Sequence, residues 1–262
     1  MTAAPRSLDL AVLGNCAIAA LVDKEARIVW CCAPRLDGDP VFCDLLRDPD
    51  APRDGLWEIE LLGCVRSSQS YVRNTAILET ILADADGNEI RIVDFIPRFN
   101  RWRRVFRPVS IIRMVEPRAG VPRIRVRVKP RCGYGARSPE QTRGSNHIRW
   151  LIEGGVLRLT TDVPVGFIQG ETPFICDRSI VMMLAADEPV ETDLRSLAVD
   201  LYEQTQDYWT DWARQLALPF EWQEAVIRAA ITLKLCSFEE TGAIVAALTT
   251  SIPESEIGRA HV

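Results

Sequence analysis

The spacing of apolar residues changes once along these 262 residues, and that change constrains the fold more than any single motif. Up to about residue 190 the apolar residues form short runs or alternate with polar ones, with turn residues between them, as strands require. Trp57, Ile59 and Leu61 alternate with Glu58 and Glu60. Ile77 to Leu82 and Ile90 to Phe95 flank Asp84-Ala85-Asp86-Gly87-Asn88, a hairpin signal. Further strands are expected within 10–22, where Gly14-Asn15 breaks the run, and at 28–30, 111–115, 123–129, 148–152, 156–161 and 179–184. From residue 192 the spacing becomes three and four. Leu194, Leu197, Ala198, Leu201, Tyr202, Tyr208, Trp209 and Trp212 mark an amphipathic helix, with Thr192 as its expected cap and Asp193 in its first turn. Pro219 opens a second helix, whose apolar members are Trp222, Ala225, Val226, Ala229, Ala230, Leu233 and Leu235. The expected fold class is mainly β: a β-sandwich over 1–190, a linker helix over 191–218, and the start of a helical domain over 219–256.

Composition removes several function classes. The net charge of −5 gives no global attraction for nucleic acid, and no apolar run approaches the length of a membrane span. The N-terminal MTAAPRSLDL has no apolar signal region, and most of the eight cysteines lie in apolar runs, so a reduced, cytoplasmic protein is expected. With no CxxC pair and two histidines, no metal site and no cofactor are expected.

Charge is concentrated in one place. Residues 98–149 carry fifteen Lys or Arg against two acids, Glu116 and Glu140. Arg123, Arg125, Arg127 and Lys129 alternate with Ile124, Val126 and Val128, the pattern of a solvated strand face, and the stretch from Asp187 to Asp211 is acidic enough to offset the patch. No nucleic-acid partner and no membrane partner are therefore expected, and the oligomeric state is not legible.

The most distinctive segment is LDLAVLGNCAIAALVDKEARIVWCCAPRLDGDPVFCDLL at 8–46. It holds Arg35, Asp37 and Asp39 in a loop stiffened by Pro34 and Pro40. The segment resembles the N-terminal signature of glycoside hydrolase family 15, the bacterial glucoamylase and trehalase group. The matching residues are Gly14-Asn15, Ala19-Ala20-Leu21-Val22, Ile28-Val29-Trp30-Cys31, Pro34-Arg35-Leu36-Asp37 and Phe42 to Leu46, with Leu36 in place of the commoner Phe. Tyr71 to Thr80, Asp94 to Phe99, Val128 to Gly135, Leu233-Lys234-Leu235 and Thr249 to Glu254 also resemble that group, in the same order.

The resemblance implies a β-sandwich, a linker helix and the first helix of an α/α barrel that is truncated here. It implies an inverting hydrolase of α-glucosides or oligosaccharides. Inversion needs two carboxyl groups about 6.5–9.5 Å apart, one protonating the leaving oxygen and one activating water. In the family both are barrel glutamates that would lie beyond residue 262, so no catalytic residue is assigned and the isolated chain is expected to be inactive. Ile257 to Val262 do not resemble the family and are expected to be a non-native tail. A non-catalytic β-sandwich that binds carbohydrate or a partner is the alternative.

The candidate residues for the substrate pocket or the domain interface are Arg35, Asp37, Asp39, Thr249, Thr250 and Ser251. Asp37 and Asp39 read better as turn-stabilising groups, with Arg35 in an interface salt bridge, than as a catalytic pair. Arg35 and Asp37 face either the sugar pocket or the domain interface, and the sequence does not separate the two. The hydroxyls of 249–251 read equally as loop-binding groups and as sugar contacts.

Overall fold

A computed structural model describes residues 7–48 and 50–252, so the expected tail at 257–262 lies outside the described residues. In chain order the elements are β1 (Ala11–Gly14), β2 (Ala19–Val22), β3 (Ile28–Cys32), β4 (Pro40–Phe42), β5 (Leu56–Leu61), β6 (Cys64–Tyr71), β7 (Leu78–Asp84), β8 (Glu89–Phe95), β9 (Phe99–Arg101) and β10 (Arg104–Phe106). They continue with β11 (Ser110–Ala119), β12 (Arg123–Lys129), β13 (Glu140–Arg143), β14 (His147–Ile152), β15 (Gly155–Thr161), α1 (Val165–Gln169), β16 (Phe174–Ile175), β17 (Ile180–Ala186), α2 (Leu194–Arg214), α3 (Gln223–Leu235), β18 (Ser237–Phe238) and β19 (Ala243–Ile244). The chain is mainly β, as its alternation requires. The short helix α1 interrupts a stretch that showed no helical period.

Two antiparallel sheets face each other. One runs β1-β2-β3-β5-β12-β16 with β4 on β3; the other runs β13-β14-β15-β17-β11-β8-β7-β6. Their inner faces supply one core, including Ile28, Ile59, Val126, Ile92, Val115, Leu159 and Met182. Strand parity then sends Val93, Phe95, Ile112 and Val181 to the outer face of the second sheet, where α2 covers them with Ala198 and Leu201. That sheet is thus buried on both sides where α2 lies, which is why β8 carries apolar residues on both faces, Ile90 and Ile92 inward and Val93 and Phe95 outward.

Polar residues inside this core are paired. Asp94 and Arg113 sit opposite each other on β8 and β11 and are both 0% exposed. Arg113 Nε and Nη2 donate to the two Asp94 carboxylate oxygens at 2.8 and 3.0 Å. Arg113 Nη1 also donates to the Trp57 carbonyl at 2.9 Å, and Nη2 to the Ala26 carbonyl, so the pair reaches across to the first sheet. On the outer face of β12, Arg125 pairs with Glu60, and Arg127 pairs with Glu58, Glu60 and Glu171. The basic alternation of β12 is therefore half of an ion-pair ladder with β5.

Two helix details differ from the sequence-based expectation. The cap of α2 is Asp193, whose side chain accepts from the Ser196 N–H at 2.8 Å, rather than Thr192. In α3 the buried stripe is Ile227, Ile231 and Leu235, packed on Tyr208, Trp209 and Ala213 of α2. Of the expected apolar residues Leu235 belongs to this buried stripe, whereas Trp222 and Leu233 face outward, 78% and 66% exposed.

Candidate functional site

The loop after β3, the turn after β12 and the segment from β18 to residue 252 come together at one end of the first sheet. Leu36 is buried against Ala19, Phe238 and Leu248, which fixes the loop and leaves its charged neighbours outward. Arg35 Nε and Nη2 donate to the two Asp37 oxygens at 2.9 and 3.1 Å. The hydrogen bond from Arg35 holds the Asp37 carboxyl below the usual carboxylate range. The Arg35 guanidinium also lies 5.0 Å from the Phe238 ring centroid and 3.6 Å from Glu240. Arg35 therefore sits at the contact with the segment that follows α3, and Asp37 is held by Arg35.

Asp39 has different partners. Its carboxylate accepts from the backbone N–H groups of Gly133 at 2.6 Å and Tyr134 at 2.8 Å. These two consecutive residues have positive φ, 62° and 53°, so both donors turn toward one acceptor. Tyr134 in turn donates its phenol to the Ser251 carbonyl at 2.6 Å. Trp30 donates its indole N–H to the Leu248 carbonyl at 2.8 Å, and the Cys32 Sγ lies 3.2 Å from the Ser251 Oγ. Burial pushes the Cys32 thiol up to about 11, so it contacts Ser251 as a neutral group. Thr249 and Thr250 enter the same turn through their backbone, and among the described residues their hydroxyls have no hydrogen-bond partner. Arg35, Asp37, Asp39 and Ser251 are thus brought into one contact zone. Asp37 and Asp39 are each engaged by separate donors.

A second node, not anticipated from the sequence, lies nearby. Glu239 accepts from Arg98 Nη2 at 2.6 Å and from Lys234 Nζ, with Arg107 at 3.6 Å. Arg98 also donates to the Asn15 carbonyl at 2.6 Å and covers the Tyr208 ring. Asn15 donates to the Pro97 and Pro108 carbonyls, so the Gly14-Asn15 turn is locked to the same node. Burial raises the Glu239 pKa, but the hydrogen bonds from Arg98 and Lys234 outweigh it and hold the carboxyl below its ordinary value. A depressed folded-state pKa contributes stability above the unfolded value, near 4.3, and that stability is lost as pH falls through the folded value. Hydrogen exchange across 236–252 is therefore expected to quicken, after correction for intrinsic rates, as pH falls below about 4.3, and Glu239→Gln should flatten that dependence. An unchanged profile in Glu239→Gln would mean the node does not hold the segment.

Among the described residues no group of three His, Cys, Asp or Glu is placed to hold a metal ion, and no helix is long and apolar enough to cross a membrane.

Residues 2–153 match the family model "Trehalase-like, N-terminal". The chain is 26% identical over 255 residues to a trehalase of Thermoplasma volcanium, covering 93% of this chain and 39% of that protein. It is 26% identical over 254 residues to a trehalase of Thermoplasma acidophilum, covering 90% and 41%. For a trehalase of Mycolicibacterium smegmatis the figures are 24% over 282 residues, 97% and 41%. The chain thus spans about two fifths of the length of the curated relatives it matches. No solved structure matches it.

Proposed function

Because the chain belongs to the trehalase-like N-terminal family, we propose that it is the N-terminal part of an inverting α-glucoside hydrolase of the glucoamylase and trehalase type, glycoside hydrolase family 15. The observation that carries this reading is the coverage: nearly the whole chain aligns with trehalases, yet it accounts for only 39–41% of them. In this reading 1–190 is the sandwich domain, 191–218 the linker helix and 219–256 the opening of the barrel. The outward stripe of α3, with Trp222 and Leu233 exposed, supports it, since further helices would cover that face.

The role of the described residues is then to seat the barrel, not to cleave the sugar. Asp39 holds the Gly133-Tyr134 turn, Tyr134 and Trp30 hold the 248–251 turn, and Arg35 braces β18. Thr249 and Thr250, whose hydroxyls have no hydrogen-bond partner among the described residues, are the residues of this set best suited to face an α-glucoside. The acid and base would come from glutamates of the barrel.

The test is to express the source genome's reading frame continued past Glu254 and follow trehalose and maltose hydrolysis by NMR. From trehalose one β- and one α-glucose should appear together before mutarotation, because inversion at the attacked α-linked carbon yields the β anomer while the leaving glucose keeps its α configuration; the non-reducing glucose of maltose should likewise appear as the β anomer. Initial release of α-glucose alone, or a frame that encodes no helical barrel, would overturn the reading.

A further inference from the structure

The hairpin β9–β10 plays no part in the site described above, yet it carries the chain's most exposed cationic and aromatic surface. Residues 95–115 hold six arginines and no acid. Arg98 and Arg113 are committed to buried ion pairs, and Arg107 lies beside Glu239. Arg101, Arg103 and Arg104 are left, all exposed, and none has an acidic partner among the described residues. Between them stands Trp102, 76% exposed, with the Arg101 guanidinium 4.4 Å from its ring centroid.

The tip of this hairpin is fixed in shape. Arg101 pairs with Arg104 across the ladder, so Trp102 and Arg103 make a two-residue turn, with φ of 50° and 60°. Such turns favour Asn-Gly, and bulky side chains rarely adopt that backbone. Phe99 stacks on Phe106 at 5.5 Å, and Trp102 meets Phe106 edge-on at 6.1 Å. Nothing in the sandwich core requires an unfavourable turn that holds a tryptophan and three arginines in solvent. Backbone of this kind collects at recognition sites, and Trp and Arg are the residues that dominate interface energetics.

A matching surface lies on α2, against which β9 packs through Phe99. The helix buries Ala198, Leu201, Thr205, Tyr208 and Trp209. Asp200, Glu203, Asp207 and Asp211, three and four residues apart, form an exposed stripe on its opposite face. Glu203 and Asp207 have no partner among the described residues, and no ion pair there joins the stripe to the hairpin of the same chain. Val199, 44% exposed, sits one turn before Glu203. The stripe thus sets an apolar spot beside carboxylates, as the hairpin sets an aromatic ring beside guanidiniums. Hairpin and stripe are neighbours on one chain, so a two-fold axis between two copies can engage both pairs at once, in an isologous contact.

We propose that the β9–β10 hairpin docks on α2 of a second copy of this chain. Trp102 would cover Val199 of that copy, and Arg103 and Arg104 would face its Glu203 and Asp207, with the same contact made in return. Nucleic acid would also attract the arginines, but it would leave the acidic stripe without a role and be repelled by it.

The test is sedimentation equilibrium of the 262-residue chain. The weight-average mass should rise from 29.4 kDa toward twice that value in the micromolar range. Raising the salt from about 0.05 M to about 0.5 M should weaken the dimer about tenfold or more, since both charge pairs are screened. Trp102→Ala should weaken it about tenfold or more as well. Arg103→Glu with Arg104→Glu should leave a monomer, and so should Glu203→Arg with Asp207→Arg, because each then meets like charge in its own kind. Mixed together, the two monomeric variants should form a one-to-one dimer, since each hairpin then meets a stripe of opposite sign. If either double reversal fails to fold, Arg104→Gln and Glu203→Gln should each still weaken the dimer severalfold. The proposal is overturned if the chain stays monomeric throughout, if a dimer forms that these substitutions do not weaken, or if the folded variants stay monomeric when mixed. It is also overturned if the chain binds a single-stranded oligonucleotide through the same arginines while remaining a monomer without it.

Discussion

Replacing Arg113 with methionine should lower the stability of the folded chain by about 3–5 kcal/mol, the cost of leaving one member of a buried ion pair alone. Both partners are wholly buried, and the arginine also satisfies the Trp57 and Ala26 carbonyls of the facing sheet. Methionine would fill most of the volume and so isolate the electrostatic loss from a packing loss. The Asp94 carboxylate would then face an apolar core, where burial already pushes its pKa up and Arg113 is what opposes that push. Urea unfolding followed by tryptophan fluorescence measures the loss. The double variant Arg113→Met with Asp94→Leu should recover much of it, because no charge is then left unpaired. A single-variant loss below about 1 kcal/mol would show that the pair does not tie the sheets together.

The second large effect is expected at Trp30. Truncation to alanine should cost about 3–5 kcal/mol, as for other wholly buried large side chains. Trp30 packs with Cys32, Cys43 and Leu45 below the sheet, and its indole is the donor that holds the Leu248 carbonyl. Phenylalanine separates the two roles. Trp30→Phe keeps most of the apolar surface but loses the hydrogen bond, worth about 1 kcal/mol. In this variant exchange should quicken across 246–252 while the sandwich stays protected. If Trp30→Phe leaves that turn unchanged, the indole is only a core residue and the seat must rest on Tyr134 and Asp39.

The parts of the fold that could be read from the sequence are those whose side chains alternate between core and solvent. β5, β7, β8 and β12 alternate or form closed apolar runs and stand out. β6, Cys64–Tyr71, is an edge strand with hardly a buried side chain, so it leaves no apolar signal. The hairpin β9–β10 is hidden by its arginines. In α3 the helix was legible but its buried face was not, because both stripes are apolar and only the position of α2 decides which one is covered. The candidate site divides in the same way. The Arg35–Asp37 pair is local, two residues apart, and follows from the loop itself. Asp39 to Tyr134, Trp30 to Leu248 and Arg98 to Glu239 join residues about 95 to 218 positions apart, and no single-sequence pattern links such partners.

The proposed function rests on the reading that this chain seats the chemistry of a glycoside hydrolase without performing it. The most direct measurement is glucose release from trehalose and from maltose by the purified 262-residue chain, read against a no-enzyme control. The account predicts no release above that control, because Asp37 is committed to Arg35 and Asp39 to the Gly133 and Tyr134 amides, so neither of these two carboxylates serves as acid or base. Release that Asp37→Asn or Asp39→Asn abolishes would contradict it and place the catalytic carboxylates in the sandwich loop.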